Sequence, residues 1–443
     1  MYKIRIIFSR PIVLIVLLAI VVRIATVLLF SPVDPSGGDF PLFDRMAKSL
    51  LVQGDFAGEP AKTYGSPNIN PGFAIFLAAL YFIFGTSPVV VVGAQVILGA
   101  LLAVASYLIG RELFVKRTAL AAGVVTALWP PFLLQTLDYG SSVLLYTTLS
   151  IFGLFFFIRL VERGSLRSAL ASGAFLGFAT LTKSIGFYVP LVFFIWLVGR
   201  SIVMKFTSPF LTSLEINHSQ MAAAAPKGRG FLTRFKKTGL LTFLLILAYF
   251  AVLAPWTYRN FQVSDEIHKV QIVAKGELGL ISPNQLSSLA KVLSKSSTLL
   301  SGLKRMYLFP YNLWLVDRDA DFSYREVALK SIKERRLPQE LLTVMSLKGT
   351  FTFLHWALLM LGIYALFSLS LGGWGILILL YLGYVTAAAI GFTALRTFQR
   401  ASHLSSFLFP LLPILVVFAS ALVDRLLRNK NVLKRTTSRE NNT

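Results

Sequence analysis

Residues 36–56 read SGGDFPLFDRMAKSLLVQGDF, and this stretch decides the architecture. It follows an apolar run over residues 11–30, about 20 residues, the length of one membrane crossing. Asp39 therefore stands where the chain leaves the bilayer. Beyond it the pattern turns helical but is too polar to cross. Phe40, Phe43, Met46, Ala47, Leu50 and Leu51 share one helical face, and Asp44, Arg45, Lys48, Ser49 and Gln53 share the other. A helix of that kind lies along the membrane surface with its apolar side down.

The composition of the whole chain agrees. Of 443 residues, 55% are hydrophobic and only 14% charged, and the mean hydropathy is +0.70. Soluble domains carry about 25% charged residues, so the chain reads as an all-α polytopic membrane protein. The absence of cysteine excludes disulfides, thiolate nucleophiles and thiolate metal sites. A net charge of +23 serves topology and attraction to anionic lipid in such a chain, not nucleic acid.

Lys3, Arg5 and Arg10 ahead of the first run put the N-terminus in the cytoplasm, and no small-residue cleavage site follows, so the run reads as an uncleaved span. The second apolar block, residues 71–84, makes about 21 Å of helix, short of a hydrocarbon core about 30 Å thick. Residues 85–88 (GTSP) then break it, giving a second juxtamembrane helix. Further spans are expected at 89–109, 119–134, 139–158, 169–182, 187–198, 240–253, 351–369, 373–392 and 405–423, about ten in all, and every short loop assigned to the cytoplasm is basic. The expected organisation is a transmembrane core over 1–255 with an external loop at 32–87 and a basic cytoplasmic linker at 200–238. An extracytoplasmic segment (256–349), C-terminal transmembrane helices (350–424) and a basic cytoplasmic tail (425–443) follow.

The candidate chemistry falls on the outer face. Asp39, in Gly-Gly-Asp ahead of Pro41, is also a helix start signal. Asp138, in TLDYGSS, doubles as an interfacial loop acid, and Asp44 faces water. Lys183 closes GAFLGFATLTK, where a lysine also favours a helix C-terminus. Arg259 and Asn260 lie in APWTYRN, and Arg396, Arg400 and His403 precede the last span. Each has an ordinary structural use. Together they set acids and three basic clusters on one membrane face. A carboxylate can take the proton of an incoming hydroxyl, and lysine and arginine can hold a phosphate. Chemistry needing both at a lipid surface is sugar transfer from a polyprenyl phosphate, whose lipid phosphate leaves while the cations stabilise its charge. Two other classes stay open. A transporter or flippase for lipid-linked saccharides shares the build, although no internal repeat is evident. A non-catalytic lipid-binding assembly subunit could keep the same groove.

The chain resembles the membrane-embedded GT-C glycosyltransferases that use lipid-phosphate sugars, in particular the branch of the lipid A aminoarabinose transferase and the bacterial relatives of protein mannosyltransferases. Four places carry the resemblance: Asp39, Phe43 and Ala47 followed by Gly54-Asp55-Phe56; Pro71-Gly72-Phe73; Gly177 to Lys183 as G-x-x-x-L-T-K; and Pro255 to Asn260 as P-W-x-x-R-N. The likeness covers roughly residues 1–280. It implies a GT-C fold and an extracytoplasmic active site that inverts the sugar's anomeric carbon, acting on a lipid, glycan or protein acceptor, in what is expected to be a bacterial inner membrane. It further implies that Asp39 is the catalytic aspartate, Asp138 a second acid, Lys183 a donor-phosphate contact and Arg259 another phosphate-side residue. Arg400 is a further phosphate-binding candidate, with Asp44, Asn260 and His403 as additional ones. The family usually has tyrosine where this chain has Phe43, and Glu-Lys or Arg-Pro types where it has Ile69-Asn70, so a hydroxyl role at the first and a ligand at the second are lost. No cofactor is called for, and a divalent metal is left open because the external acids and histidine show no ligand spacing.

Overall fold

The computed structural model describes residues 10–30, 40–54, 56, 70–137, 139–140, 142–211, 229–263, scattered positions between 361 and 381, and 411–440. At 30, 201–211, 229–238, 260–263, 411 and 428–440 the description is of the backbone. Among the described residues every regular element is helical. In chain order the helices are α1 (Arg10–Phe30), α2 (Phe40–Gln53), α3 (Gly72–Phe84), α4 (Pro88–Leu113), α5 (Lys116–Leu128), α6 (Pro130–Leu134), α7 (Ser142–Arg163), α8 (Leu166–Thr182), α9 (Val189–Leu211), α10 (Arg229–Val263) and α11 (Leu411–Glu440), with 3-10 turns at Gln135–Leu137 and Ser184–Tyr188.

Four described helices are long and apolar enough to cross a membrane: Arg10–Leu29, Pro88–Leu113, Ser142–Arg163 and Gly239–Arg259. A fifth crossing arises if Lys116–Leu128 and Pro130–Leu137, which meet at 49°, form one broken span. The ten expected spans are therefore not reached among the described residues. One reason is length: α8 stops at 17 residues because Lys183 turns extended at φ −144°, ψ 124°. The segment 264–360, and with it most of the expected extracytoplasmic segment, lies outside the described residues.

α8 forms the centre, packed between α7 and α10. Glycine makes the close approach to α10 possible. A Cβ on Gly173 would sit 2.2 Å from the Leu245 carbonyl oxygen, and one on Gly177 would sit 2.8 Å from the Val252 Cβ. Small residues at such crossings let backbones approach where lipid supplies no hydrophobic drive. The two helices run parallel, since 173 meets 245–249 and 177 meets 249–252. α1 lies against α4 and α5 and turns Leu14, Leu17, Val21, Ile24, Leu28 and Leu29 outward.

α2 is described from Phe40, the Gly-Gly-Asp start signal ahead of it lying outside the described residues, and α3 ends at Phe84 before Gly85, which adopts φ +83°. Most of the expected apolar face of α2 is inward: Phe40, Met46 and Ala47 are buried, and Phe43 and Leu50 pack beside them. Leu51 is exposed instead and Ser49 is buried. The difference arises because α2 packs on α3, so its inward face follows that neighbour and not a flat bilayer surface. α10 also runs on through Pro255 and Trp256 to Val263, so the P-W-x-x-R-N motif is helical.

Candidate active site

The four motifs meet at one end of the bundle. The Pro-Gly start of α3 lies directly on the end of α8: a Cβ on Gly72 would be 2.6 Å from both the Leu181 carbonyl carbon and the Thr182 nitrogen. Only glycine permits that approach. One residue earlier, Asn70 accepts a 2.7 Å hydrogen bond from the Ser184 hydroxyl. The segment 70–72 thus clasps Lys183 from both sides in sequence.

Lys183 caps α8, its amide donating to the Ala179 carbonyl at 2.8 Å and its own carbonyl accepting from Gly186 at 3.0 Å. The turn after it is pinned to α10, where Tyr249 donates to the Phe187 carbonyl at 3.0 Å and lies 3.1 Å from the Thr180 hydroxyl. The lysine itself is only 8% exposed. Among the described residues its ammonium has no hydrogen-bond or ion-pair partner. An ammonium on so buried a side chain, with no counter-charge among the described residues, offers three donors that suit a phosphate.

Aromatic rings tie the remaining motifs to this point. Phe43 meets Phe73 edge to face at 5.2 Å, joining the first motif to the second. Phe56, closing Gly54-Asp55-Phe56, meets Trp256 edge to face at 5.4 Å. The Arg259 guanidinium lies over the Trp256 ring at 5.2 Å, about two turns along α10 beyond the contact of Val252 with Gly177. Phe40 packs on Tyr139 with ring centroids 5.4 Å apart, and a Cβ on Gly140 would lie 2.9 Å from the Phe40 nitrogen. The residues that follow Asp39 and Asp138 in sequence are therefore in contact.

Asp39, Asp138, Arg400 and His403 lie outside the described residues, and of Asn260 the backbone is described. Asp44 is described and differs from the water-facing position expected of it. Its carboxylate accepts from the Tyr81 hydroxyl at 2.7 Å and pairs with Lys48 at 2.7 Å, which staples α2 to α3. Burial first, then the Asp44 carboxylate, raises the Tyr81 pKa above the ordinary phenol range, so the phenol stays a donor. No cluster of three or more metal-ligating side chains occurs among the described residues. Sequence reading missed Tyr81, Ser184 and Tyr139 as supports. Tyr139 and Ser184 adjoin motif residues, a signal that was legible; the pairing of Tyr81 with Asp44 spans 37 positions and had none.

At the far end of α8, about 25 Å away at 1.5 Å per residue, the charges are of another kind. Arg163 donates to both Glu112 oxygens at 2.7 Å, and Arg159 approaches at 3.5 Å. Lys183, which has no ion-pair partner among the described residues, and the paired arginines thus sit at opposite ends of the bundle.

Residues 66–216 match the family model described as dolichyl-phosphate-mannose-protein mannosyltransferase. An oligosaccharyltransferase from Archaeoglobus fulgidus, in complex with zinc and sulfate, has the same fold with a TM-score of 0.52 and 15% identity, covering 94% of this chain and 49% of that one. The archaeal oligosaccharyltransferase AglB from the same organism, in complex with an inhibitory peptide and a dolichol-phosphate, gives a TM-score of 0.47 at 13% identity over 97% and 52% of the two chains. ArnT from Cupriavidus metallidurans, bound to undecaprenyl phosphate, gives 0.42 at 15% identity over 92% and 77%. The chain spans about half the length of the oligosaccharyltransferases it matches. No curated protein matches it. The family model and the shared fold bear out the resemblance to the membrane-embedded GT-C glycosyltransferases.

Proposed function

We propose that this GT-C-type membrane glycosyltransferase moves a sugar from a polyprenyl-phosphate donor to an acceptor at the outer membrane face, with inversion at the anomeric carbon. The single observation that supports the reading most is Lys183: a largely buried lysine with no counter-charge among the described residues, clasped by residues 70–72. A lipid phosphate is a counter-charge that fits these donors. The paired basic residues at the opposite end suit the cytoplasmic side under the positive-inside rule, which leaves Lys183 and Arg259 facing outward and both termini inside.

In this reading the acceptor hydroxyl oxygen attacks the anomeric carbon as the bond from that carbon to the phosphate oxygen breaks. The electron pair stays on the phosphate, and the hydroxyl proton passes to the Asp39 carboxylate. Lys183, aided by Arg259 and Arg400, stabilises the charge that builds on the leaving phosphate. Asp138, next in sequence to Tyr139, serves as the second acid. The phosphate is a good leaving group, so no general acid is needed. The acceptor is a lipid, a glycan or a protein.

The test uses purified protein in nanodiscs with labelled polyprenyl-phosphate hexoses and pentoses, with wild type, Asp39→Asn and Lys183→Ala in parallel. Wild type should consume one donor and Asp39→Asn should lose at least a hundredfold in rate while still binding it. Lys183→Ala should bind the donor at least tenfold more weakly. Lipid movement across the bilayer at full rate in Asp39→Asn would replace the transferase with a transporter.

A further inference from the structure

The first span carries an arginine at its buried face. Arg23 is fully buried, in line with Ile12, Ile15, Ala19 and Thr26 along α1. Its side chain lies across α4 where Gly99 leaves room, since a Cβ there would collide with the guanidinium. An ionisable group at such a depth is expensive and calls for a specific use. One Nη1 donates at 3.2 Å to the Ala19 carbonyl of its own helix and at 3.2 Å to the Ala127 carbonyl of α5.

The second acceptor explains the residue. In an unbroken helix the Ala127 carbonyl receives the amide of residue 131, four positions on. That residue is Pro131, which has no N–H, and Pro130 withholds the donor from Thr126 in the same way. α5 and the following Pro130–Leu137 part here at 49°. Arg23 thus replaces from another helix the donor that proline removed. α1 also touches both α6 and the 3-10 turn Gln135–Leu137, which leads directly to Asp138 and to the Tyr139–Phe40 contact.

We infer that Arg23 is a positioning residue: its bond to the Ala127 carbonyl holds the break in the third span at the angle that brings the turn at 139–140 against the start of α2. The inference rests on the proposed transfer reaction only in giving that loop a catalytic purpose. The brace itself is a matter of geometry.

The chain has no cysteine, so a Phe40→Cys/Tyr139→Cys pair can be joined by a short bifunctional methanethiosulfonate, and its rate of joining reports the contact without any turnover. Arg23→Met should slow this crosslinking at least tenfold, and in the protein without cysteines it should cut donor turnover at least tenfold with donor KM within twofold. Pro130→Ala/Pro131→Ala restores both backbone donors and lets the span straighten. Adding Arg23→Met to that pair should regain thermal stability while crosslinking and turnover stay low. Should Arg23→Met fail to fold, Pro130→Ala/Pro131→Ala alone carries the test, with crosslinking slowed at least fivefold. Wild-type crosslinking in Arg23→Met, or in Pro130→Ala/Pro131→Ala where Arg23→Met is lost, overturns the inference, as does wild-type turnover in the triple variant. Crosslinking that depends on Arg23 in a protein that transfers no sugar would leave the brace standing and remove the transferase reading instead.

Discussion

At the scale of single residues, two contacts separate structural from chemical roles. Tyr81 donates to Asp44 from a buried position, so Tyr81→Phe should cost about 1–2 kcal/mol of stability, read as a lower Tm in detergent. Asp44→Asn keeps an acceptor for Tyr81 and loses a pair whose lysine is half exposed, a loss of about 0–1 kcal/mol. Its transfer rate should stay within about threefold of wild type, which would set Asp44 apart from Asp39. The raised Tyr81 pKa means that its contribution is complete below the ordinary phenol value near 10 and is lost as pH rises from there towards the raised value; unfolding followed from pH 8 to 11 should show stability falling only at the alkaline end. Gly72 tests the clasp around Lys183. An alanine there brings its Cβ onto the α8 backbone, and Gly72→Ala should lose about 1–3 kcal/mol together with donor affinity.

At the scale of elements, α8 and α10 act as one unit because glycine lets them touch. Gly177→Leu must push Val252 and the Tyr249 carbonyl away, lowering stability by about 1–3 kcal/mol. Gly199, on α9, has nothing within 4 Å of an added Cβ. Gly199→Ala should therefore be neutral or stabilising by about 0.5–1 kcal/mol, and thermal melts of the two variants side by side distinguish packing from propensity. The motif G-x-x-x-L-T-K thereby divides into two tasks: its glycine sets the helix crossing and its lysine projects from the end that the crossing aligns.

At the scale of the whole molecule, the proposed orientation makes a direct prediction. Single cysteines at Val52, exposed on α2 beside the site, and at Arg167, exposed at the opposite end of α8, should differ in reaction with a membrane-impermeant maleimide in intact cells. Val52→Cys should label from outside and Arg167→Cys only after permeabilisation. The reverse pattern would put Lys183 in the cytoplasm and the proposed outer-face reaction with it.

Much of this architecture was legible in the chain itself. Hydrophobic run lengths marked the first crossings, the polar periodicity after Asp39 marked α2, and the shortness of 71–84 with its Gly-Thr-Ser-Pro break marked α3 as a half-length helix. These are local properties: helix period, breaker residues and the thickness of a bilayer act on neighbours in sequence, and so does the lysine that ends α8. Tertiary structure alone decided which side of α2 turns inward, because α3 sets it, and that α10 carries Trp256 and Arg259 on an unbroken helix. It alone joined Tyr81 to Asp44, Phe56 to Trp256 and Arg23 to a carbonyl 104 positions away. Such partners are chosen by packing between segments distant in the chain, and a hydrogen bond or ring contact across that distance leaves no period or spacing in the sequence from which it could be read.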